Sequence, residues 1–461
     1  MSGPVVNMSA KMGVRFFDES IVKGGFPPGS TILVAGEPGA GKTIFSSMFL
    51  YNGMAKYGEK AIYVSLAETK EDYYDEMKRL GMDFEEMERS GLFRFIDLIT
   101  VTPETIEKEI ELIMGEILTF RPRRIVIDSI SAFAQLLGVE KTRMFLHTTL
   151  GRFVKSFGAV TLLVAEKPLG RGVIGYGVEE FVVDGVILLR YHKIGETVRR
   201  VMEIPKMRRR AIEKAQYEYV ITSRGIQFLE VPDLVMTRRD STSEKVTTGI
   251  PKLDELLDGG VYRGSVTLIV GMTGTGKTTF SLHFAVANAL LGRKALYIGF
   301  EEPIGQLKRA ARGYGLPIDD ALKENLKLVG WVPEAKSPVH TFIRVKQLIE
   351  DERPDVLVLE SLTALREHMD PDELSKMVRY LGLMVKEHNI AAYVTLNAET
   401  NFEVVPHTRA STLADNILGL KYAIVNDTIE RRLAIIKARS SNHSRRIYRY
   451  EITPRGIEIY G

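Results

Sequence analysis

One pattern, G-x-x-x-x-G-K-T, occurs twice in this chain of 461 residues. It constrains the fold more tightly than any other feature. The first copy is Gly36-Glu37-Pro38-Gly39-Ala40-Gly41-Lys42-Thr43, after the apolar run Thr31-Ile32-Leu33-Val34-Ala35. The second is Gly271-Met272-Thr273-Gly274-Thr275-Gly276-Lys277-Thr278. It follows Ser265-Val266-Thr267-Leu268-Ile269-Val270 and precedes a helical stretch starting at Phe280. Strand, glycine turn and helix are the context in which this pattern makes a phosphate-binding loop. Glycines let backbone N–H groups turn inward around phosphate oxygens, and the helix N-terminus adds partial positive charge. The predicted cradles are Gly39, Ala40, Gly41, Lys42, Thr43 and Ile44, and then Gly274, Thr275, Gly276, Lys277, Thr278 and Thr279. The lysine reaches the β- and γ-phosphates of a nucleotide such as ATP, and the Thr43 and Thr278 hydroxyls ligate Mg²⁺.

The two loops are landmarks of a longer repeat. Lys42 and Lys277 are 235 residues apart, and nearly the same offset carries other features with it. Tyr63-Val64-Ser65-Leu66 matches Tyr297-Ile298-Gly299-Phe300, and Ile125-Val126-Ile127-Asp128-Ser129 matches Leu357-Val358-Leu359-Glu360-Ser361. Lys206-Met207-Arg208 matches Lys437-Ala438-Arg439, and Ile221-Thr222-Ser223-Arg224-Gly225-Ile226 matches Ile452-Thr453-Pro454-Arg455-Gly456-Ile457. So long a period means a tandem duplication of whole domains rather than a solenoid. We place the domains at 1–235 and 236–461, with the polar run Arg238 to Lys245 as linker. In the first copy, strands are expected at 61–66, 124–128 and 159–165, with helices at 71–80, 105–120 and 144–157. Ile106, Ile110, Ile113 and Ile117 line one face of the second of these helices. The segments 185–190 and 198–206 read as added strands. Alternating apolar strands and helices imply an α/β fold: two tandem domains, each a mostly parallel sheet flanked by helices.

Composition sets outer limits. With 62 basic and 59 acidic residues the net charge is only +3, so there is no overall polyelectrolyte signal for nucleic acid. There is no cysteine, which excludes disulfides, thiolate nucleophiles and zinc–thiolate sites. Scarce glutamine beside abundant Lys, Arg and Glu leans towards a thermophilic or archaeal source. No secretory pattern opens the chain and no apolar run approaches a membrane span, so a cytoplasmic protein with no membrane contact is expected.

These residues resemble the RecA-type ATPases and, within them, the KaiC family with its two fused ATPase domains. Beyond the loops, the resemblance rests on four features. One is Thr248-Gly249-Ile250-Pro251-Lys252-Leu253-Asp254 leading to Gly259-Gly260, and another is the acid pair Glu301-Glu302. The others are the recurring Lys-x-Arg, and Glu179 to Asp184 with its counterpart Ser411-Thr412-Leu413-Ala414-Asp415. The resemblance implies RecA-like ATPase domains that bind ATP with Mg²⁺, and it makes the two sites unequal. In the family the acid pair polarises the attacking nucleophile. Site two has both acids, with Glu301 as general base and Glu302 beside it, but Glu360 stands where the metal-shell carboxylate is usually aspartate. Site one has that aspartate, Asp128, but Ala67-Glu68 replaces the pair. Slow turnover at site one is the expectation.

Lys206 and Arg208, like Lys437 and Arg439, are expected to alternate along a strand and point the same way. In RecA-type rings such cations reach a neighbour's γ-phosphate, which implies a homohexamer with nucleotide at the subunit interfaces. His443 matches a nucleotide-contacting histidine of the family, and copy one has Arg208-Arg209-Arg210-Ala211 there instead. Ser411 and Thr412 match the family's autophosphorylated positions, implying a serine/threonine autokinase. The chain ends just past the last matched strand, so an ATP-driven regulatory or signalling switch with a protein partner is expected rather than a clock. The rival is a RecA- or RadA-like DNA-dependent ATPase in recombination or repair, binding single strands through Lys167 to Gly172 and Asn397 to Arg409. Few basic or aromatic residues in those loops disfavour it.

Overall fold

The computed structural model describes residues 8–98, 102, 104–146, 157–166, 183–194, 197–229, 242–331, 338–366, 371–397 and 414–461. It divides into two compact units, Met1–Glu230 and Val231–Gly461.

The first unit holds one nine-stranded sheet. Its strands are β1 (Thr31–Gly36), β2 (Ala61–Ser65), β3 (Phe93–Asp97), β4 (Arg124–Asp128), β5 (Val160–Glu166), β6 (Gly185–Ile194), β7 (Thr197–Met207), β8 (Gln216–Thr222) and β9 (Gly225–Phe228). The order is β3-β2-β4-β5-β1-β6-β7-β8-β9. From β3 to β6 neighbours run parallel, and from β6 to β9 they are antiparallel hairpin partners. β1 and β2 are buried along their whole length, which explains why they read as unbroken apolar runs. The helix Lys42–Tyr57 packs on one face, where Phe45, Phe49 and Met54 join Tyr63 and Tyr73 in the core. Ile106, Ile113 and Ile117 of the helix Ile106–Phe120 pack with Ile62, Val64, Ile125 and Ile127 in a second cluster. Of the helix expected over 144–157, the described residues 144–146 and 157 are helical, Met144 closing the helix Val139–Met144, and the remainder lies outside the described residues.

The second unit repeats the design. A two-stranded ribbon of β10 (Lys245–Val246) and β11 (Val261–Tyr262) precedes it. Its sheet is built from β12 (Val266–Gly271), β13 (Ala295–Gly299), β14 (Leu326–Gly330), β15 (Val356–Glu360), β16 (Ala391–Asn397), β17 (Asn416–Val425), β18 (Thr428–Ala438), β19 (Ile447–Thr453) and β20 (Gly456–Tyr460). The order, β14-β13-β15-β16-β12-β17-β18-β19-β20, is the first sheet's order again. The helix Lys277–Leu290 is buried along most of its length, and Phe284 stacks on Tyr393 at 3.9 Å. Among the described residues, no helix is long and apolar enough to cross a membrane.

Gly382 lies within the helix Pro371–Glu387, beside an apolar cavity of about 20 Å³ lined by Leu268, Val378 and Val394 among others. A Cβ added there meets nothing within 4 Å. Gly382→Ala is therefore expected to stabilise the second unit by about 1 kcal/mol, through lower chain entropy in the unfolded state and better helix propensity. A higher thermal midpoint for that unit is the readout; a lower one means the helix cannot take a methyl there.

Candidate nucleotide sites

Both phosphate loops sit at the C-terminal end of a central strand, β1 or β12, between parallel neighbours. This is the crevice where open α/β sheets bind ligands. Each helix starts on a left-handed glycine, Gly41 at φ 90° and Gly276 at φ 94°, a conformation that side chains with a Cβ rarely adopt. Each loop is also clamped from the antiparallel end of its sheet. Tyr219 donates its hydroxyl to Ala40 O at 2.6 Å, and Tyr450 donates to Thr275 O. A Cβ on Gly41 would come within 2.8 Å of Ile221, and one on Gly276 within 2.5 Å of Ile452. β8 and β19 thus hold the loop's shape, a role that the sequence did not reveal. The recurrence of tyrosine and isoleucine at the repeat offset was the available signal.

Next to each loop, the strand that ends in a carboxylate meets the loop's threonine. Thr43 donates Oγ1 to Asp128 Oδ2 at 3.0 Å, and Thr278 donates Oγ1 to Glu360 Oε1. A buried tyrosine missed in the sequence completes each group. Tyr63 donates to Asp128 Oδ2 at 2.8 Å, and Tyr297 donates to Glu360 Oε2. Both donors share one oxygen of Asp128, whereas the longer Glu360 presents one oxygen to each. Burial pushes the Asp128 carboxyl up, against the lowering effect of Tyr63, Thr43 and Lys42. Burial pushes Glu360 up to about 7, opposed by the Thr278 hydroxyl and Lys277. The lysines are drawn down by burial and held up by these same carboxylates. Lys42 donates to Glu37 O at 3.2 Å, and Lys277 donates to Gly271 O and Met272 O at 2.9 and 3.0 Å.

The acids beside the sites differ. In site two Ser361 donates its hydroxyl to Glu301 Oε1. Burial and the neighbouring Glu301 push Glu302 up. In site one Ser65 takes over part of the turn, donating to Glu68 O at 2.7 Å and accepting Glu68 N–H at 2.9 Å. Burial, then Glu76, Asp128 and Asp72, push Glu68 up to about 6. Its Oε2 is buried without a hydrogen-bond partner.

The paired cations depart from the expected alternation. Lys206 and Lys437 lie near the ends of β7 and β18, but those strands stop at Met207 and Ala438, and Arg208 and Arg439 fall in the following turns. The strand register also slips beside each lysine, between Val186 and Leu188 and between Ile417 and Leu418. Arg208 pairs with Asp184 at 3.5 Å and Arg439 with Asp415 at 3.4 Å, while Lys437 donates to Ala414 O at 2.6 Å. His443 is 3.4 Å from Ser441 O. Ser411, Thr412, the loop 167–172 and nearly all of 397–409 lie outside the described residues.

His283, on the helix after the second loop, has no metal-ligand spacing in the sequence and is expected to be structural; its contacts are to the backbone. Its Nε2 accepts Ile457 N–H at 3.2 Å, so Nδ1 carries the proton, 3.2 Å from Gly249 O. In copy one Met48 Sδ accepts the equivalent Ile226 N–H at 3.0 Å. Burial draws the imidazole below its ordinary 6.5, against the effect of the Gly249 carbonyl. The folded state therefore binds the proton more weakly than the unfolded chain. This contribution is full above about pH 6.5 and is lost as pH falls through the lower folded value. Protonation removes the acceptor of Ile457 N–H and leaves the Nδ1–H contact to Gly249 O, so the second unit should lose about 1 kcal/mol from this source on acidification, the worth of one hydrogen bond. His283→Met should remove that part of the pH dependence. Thermal melts of both proteins from pH 7.5 to 5 test it, and parallel slopes count against it.

Fold and sites together define a tandem P-loop nucleotide-binding protein of RecA-like architecture. A family profile described as "ATPase: KaiC" matches residues 10–233 and again 246–461. The chain belongs to the KaiC family of ATPases. It is 32% identical to the "Circadian clock oscillator protein KaiC" of Parathermosynechococcus lividus, over 97% of this chain and 84% of that one. It is 32% identical to the protein of the same name from Synechococcus elongatus, over 97% and 88%. For that of Prochlorococcus marinus the identity is 29%, over 97% and 91%.

Proposed function

We propose that this chain binds ATP with Mg²⁺ at both loops and hydrolyses it chiefly at the second. The observation that carries this reading is the contact of each loop threonine with its strand-end carboxylate, because those two groups must converge to share a metal. Among the described residues there is no cluster of three or more acids or histidines that could cage a metal. That suits Mg²⁺, which keeps waters and phosphate oxygens and takes only one or two protein groups. The cradles fit phosphate as well: each lysine donates to the loop's own carbonyls, the space a Cβ would take is open at Gly39, and at Gly274 it meets the Tyr422 hydroxyl at 2.7 Å. Bound Mg²⁺ would neutralise charge building on the phosphates.

Glu301 takes a proton from the attacking water as its oxygen bonds to the γ-phosphorus and the bond to ADP breaks. Glu302 lies beside it, and Glu68 alone serves site one. Lys437 and Arg439, with Lys206 and Arg208, stabilise the transferring phosphoryl group of a neighbouring subunit in a homohexamer, and His443 contacts the nucleotide. Resemblance alone supports Ser411 and Thr412 as phosphate acceptors and the protein as a regulatory switch with a protein partner.

Radiolabelled ATP, followed as free and as protein-bound phosphate, tests the whole reading. Lys277→Ala should remove most free-phosphate release and Lys42→Ala little of it. The reverse pattern would move the chemistry to site one. A monomeric mass in ATP and Mg²⁺ would refute the ring, and unmodified Ser411 and Thr412 after ATP incubation would remove the autokinase.

A further inference from the structure

We propose that Ser361 is a positioning residue for hydrolysis at the second site, holding Glu301 in its working direction. This rests on the reading of Glu301 as the base. The sheet brings the two together: β13 pairs with β15 in a register that sets Gly299 opposite Glu360. Phe300 N–H continues the pairing by donating to Glu360 O at 2.6 Å. The following residues of each strand, Glu301 and Ser361, then meet side by side.

Their surroundings differ. Glu301 is exposed, whereas Ser361 is 2% exposed and directly follows the end of β15. The Ser361 hydroxyl donates to Glu301 Oε1 and leaves Oε2 to accept a proton. Because Ser361 directly follows Glu360, the same backbone that sets the metal-shell carboxylate also sets the direction of the base. A base must lie within hydrogen-bond reach of its water, and small misplacements of such groups are costly.

The first unit shows what the same serine does when there is no acid to hold. Leu66 N–H donates to Asp128 O at 2.8 Å, as its counterpart does, but Ala67 follows. Ser129 Oγ there accepts Ala132 N–H at 3.3 Å and caps the helix Ile130–Leu137. The serine is common to both units, and its link to a base belongs to the second alone.

The experiment is steady-state hydrolysis by the full-length protein. Ser361→Ala should lower kcat roughly tenfold, the equivalent of one hydrogen bond, with KM for ATP little changed. Ser361→Thr, which keeps the hydroxyl, should recover most of the rate. In a Glu301→Gln background the Ser361→Ala change should have little further effect, since both act through one group. An unchanged kcat in Ser361→Ala overturns the proposal. So does a faster one, which would mean that the serine restrains the base, and so does equal loss in the alanine and threonine variants, which marks a purely structural residue. If Glu301→Gln itself keeps full turnover, the underlying reading of the base fails instead.

Discussion

Glu301→Gln is expected to lower ATP turnover by about 10²–10⁴-fold, the range a well-placed general base supplies. ATP affinity should change little, because the phosphate cradle and the Thr278–Glu360 pair are untouched. Glutamine keeps the shape and the hydrogen-bonding reach of the side chain but cannot take up the proton. The loss should therefore appear in kcat and not in KM, as expected for an interaction made only in the transition state. Glu302→Gln should cost less, because that carboxyl lies beside the base and is not oriented by Ser361. Whatever turnover survives in Glu301→Gln reports the first site, where Glu68 stands alone. Phosphate release and binding of a fluorescent nucleotide analogue, measured on the same preparations, separate the two effects. Full turnover in the variant would exclude Glu301 as the base.

Gly53→Ala is expected to destabilise the first unit by about 3 kcal/mol or more, although the change adds a single methyl to a helix. Its Cβ would fall 2.0 Å from Arg124 Nε and 2.3 Å from its Cδ. Arg124 has no room to give way. It is fully buried, paired with Glu59 at 2.6 Å, and donates to Lys11 O and Phe49 O at 2.7 Å each. Its guanidinium also lies over the Phe49 ring at 4.5 Å. Overpacking costs typically 1–3 kcal/mol, and disturbing a buried ion pair can cost 3–5. The second unit solves the same position differently: Asn288 stands for Gly53 and Val356 for Arg124, and Asn288 donates to Thr247 O and Phe284 O. Arg124→Val should therefore make Gly53→Ala much less harmful, a non-additivity that a double-mutant cycle on thermal melts would reveal. Simple additivity of the two changes would argue against the clash.

These two cases mark what could be read in advance. The duplication, the alternation of strands and helices, the phosphate loops and the asymmetry of Glu301-Glu302 against Ala67-Glu68 are local patterns. A glycine turn that must cradle phosphate, or a strand buried on both faces, leaves its mark within a few consecutive residues. The carboxylates were also legible, because Asp128 and Glu360 end apolar strands. The direction of Arg208 and Arg439 was not, because a strand's end depends on its pairing partners, and the register slips beside both lysines.

By itself the sequence determined the architecture of two tandem α/β units and where each phosphate loop lies, since these follow from periodicity and from the backbone freedom of glycine. Only the tertiary structure decided which side chains support those loops. Tyr63 and Tyr297 reach the strand-end carboxylates, Tyr219 and Tyr450 clamp the loops, and His283 ties the second loop's helix to the last strand. Ser361, alone of the two equivalent serines, turns to an acid. The clamping tyrosines lie some 175 residues or more from the carbonyls they reach, and the serine 60 from its acid. Sheet order and register bring such partners together, and no window along the chain contains both.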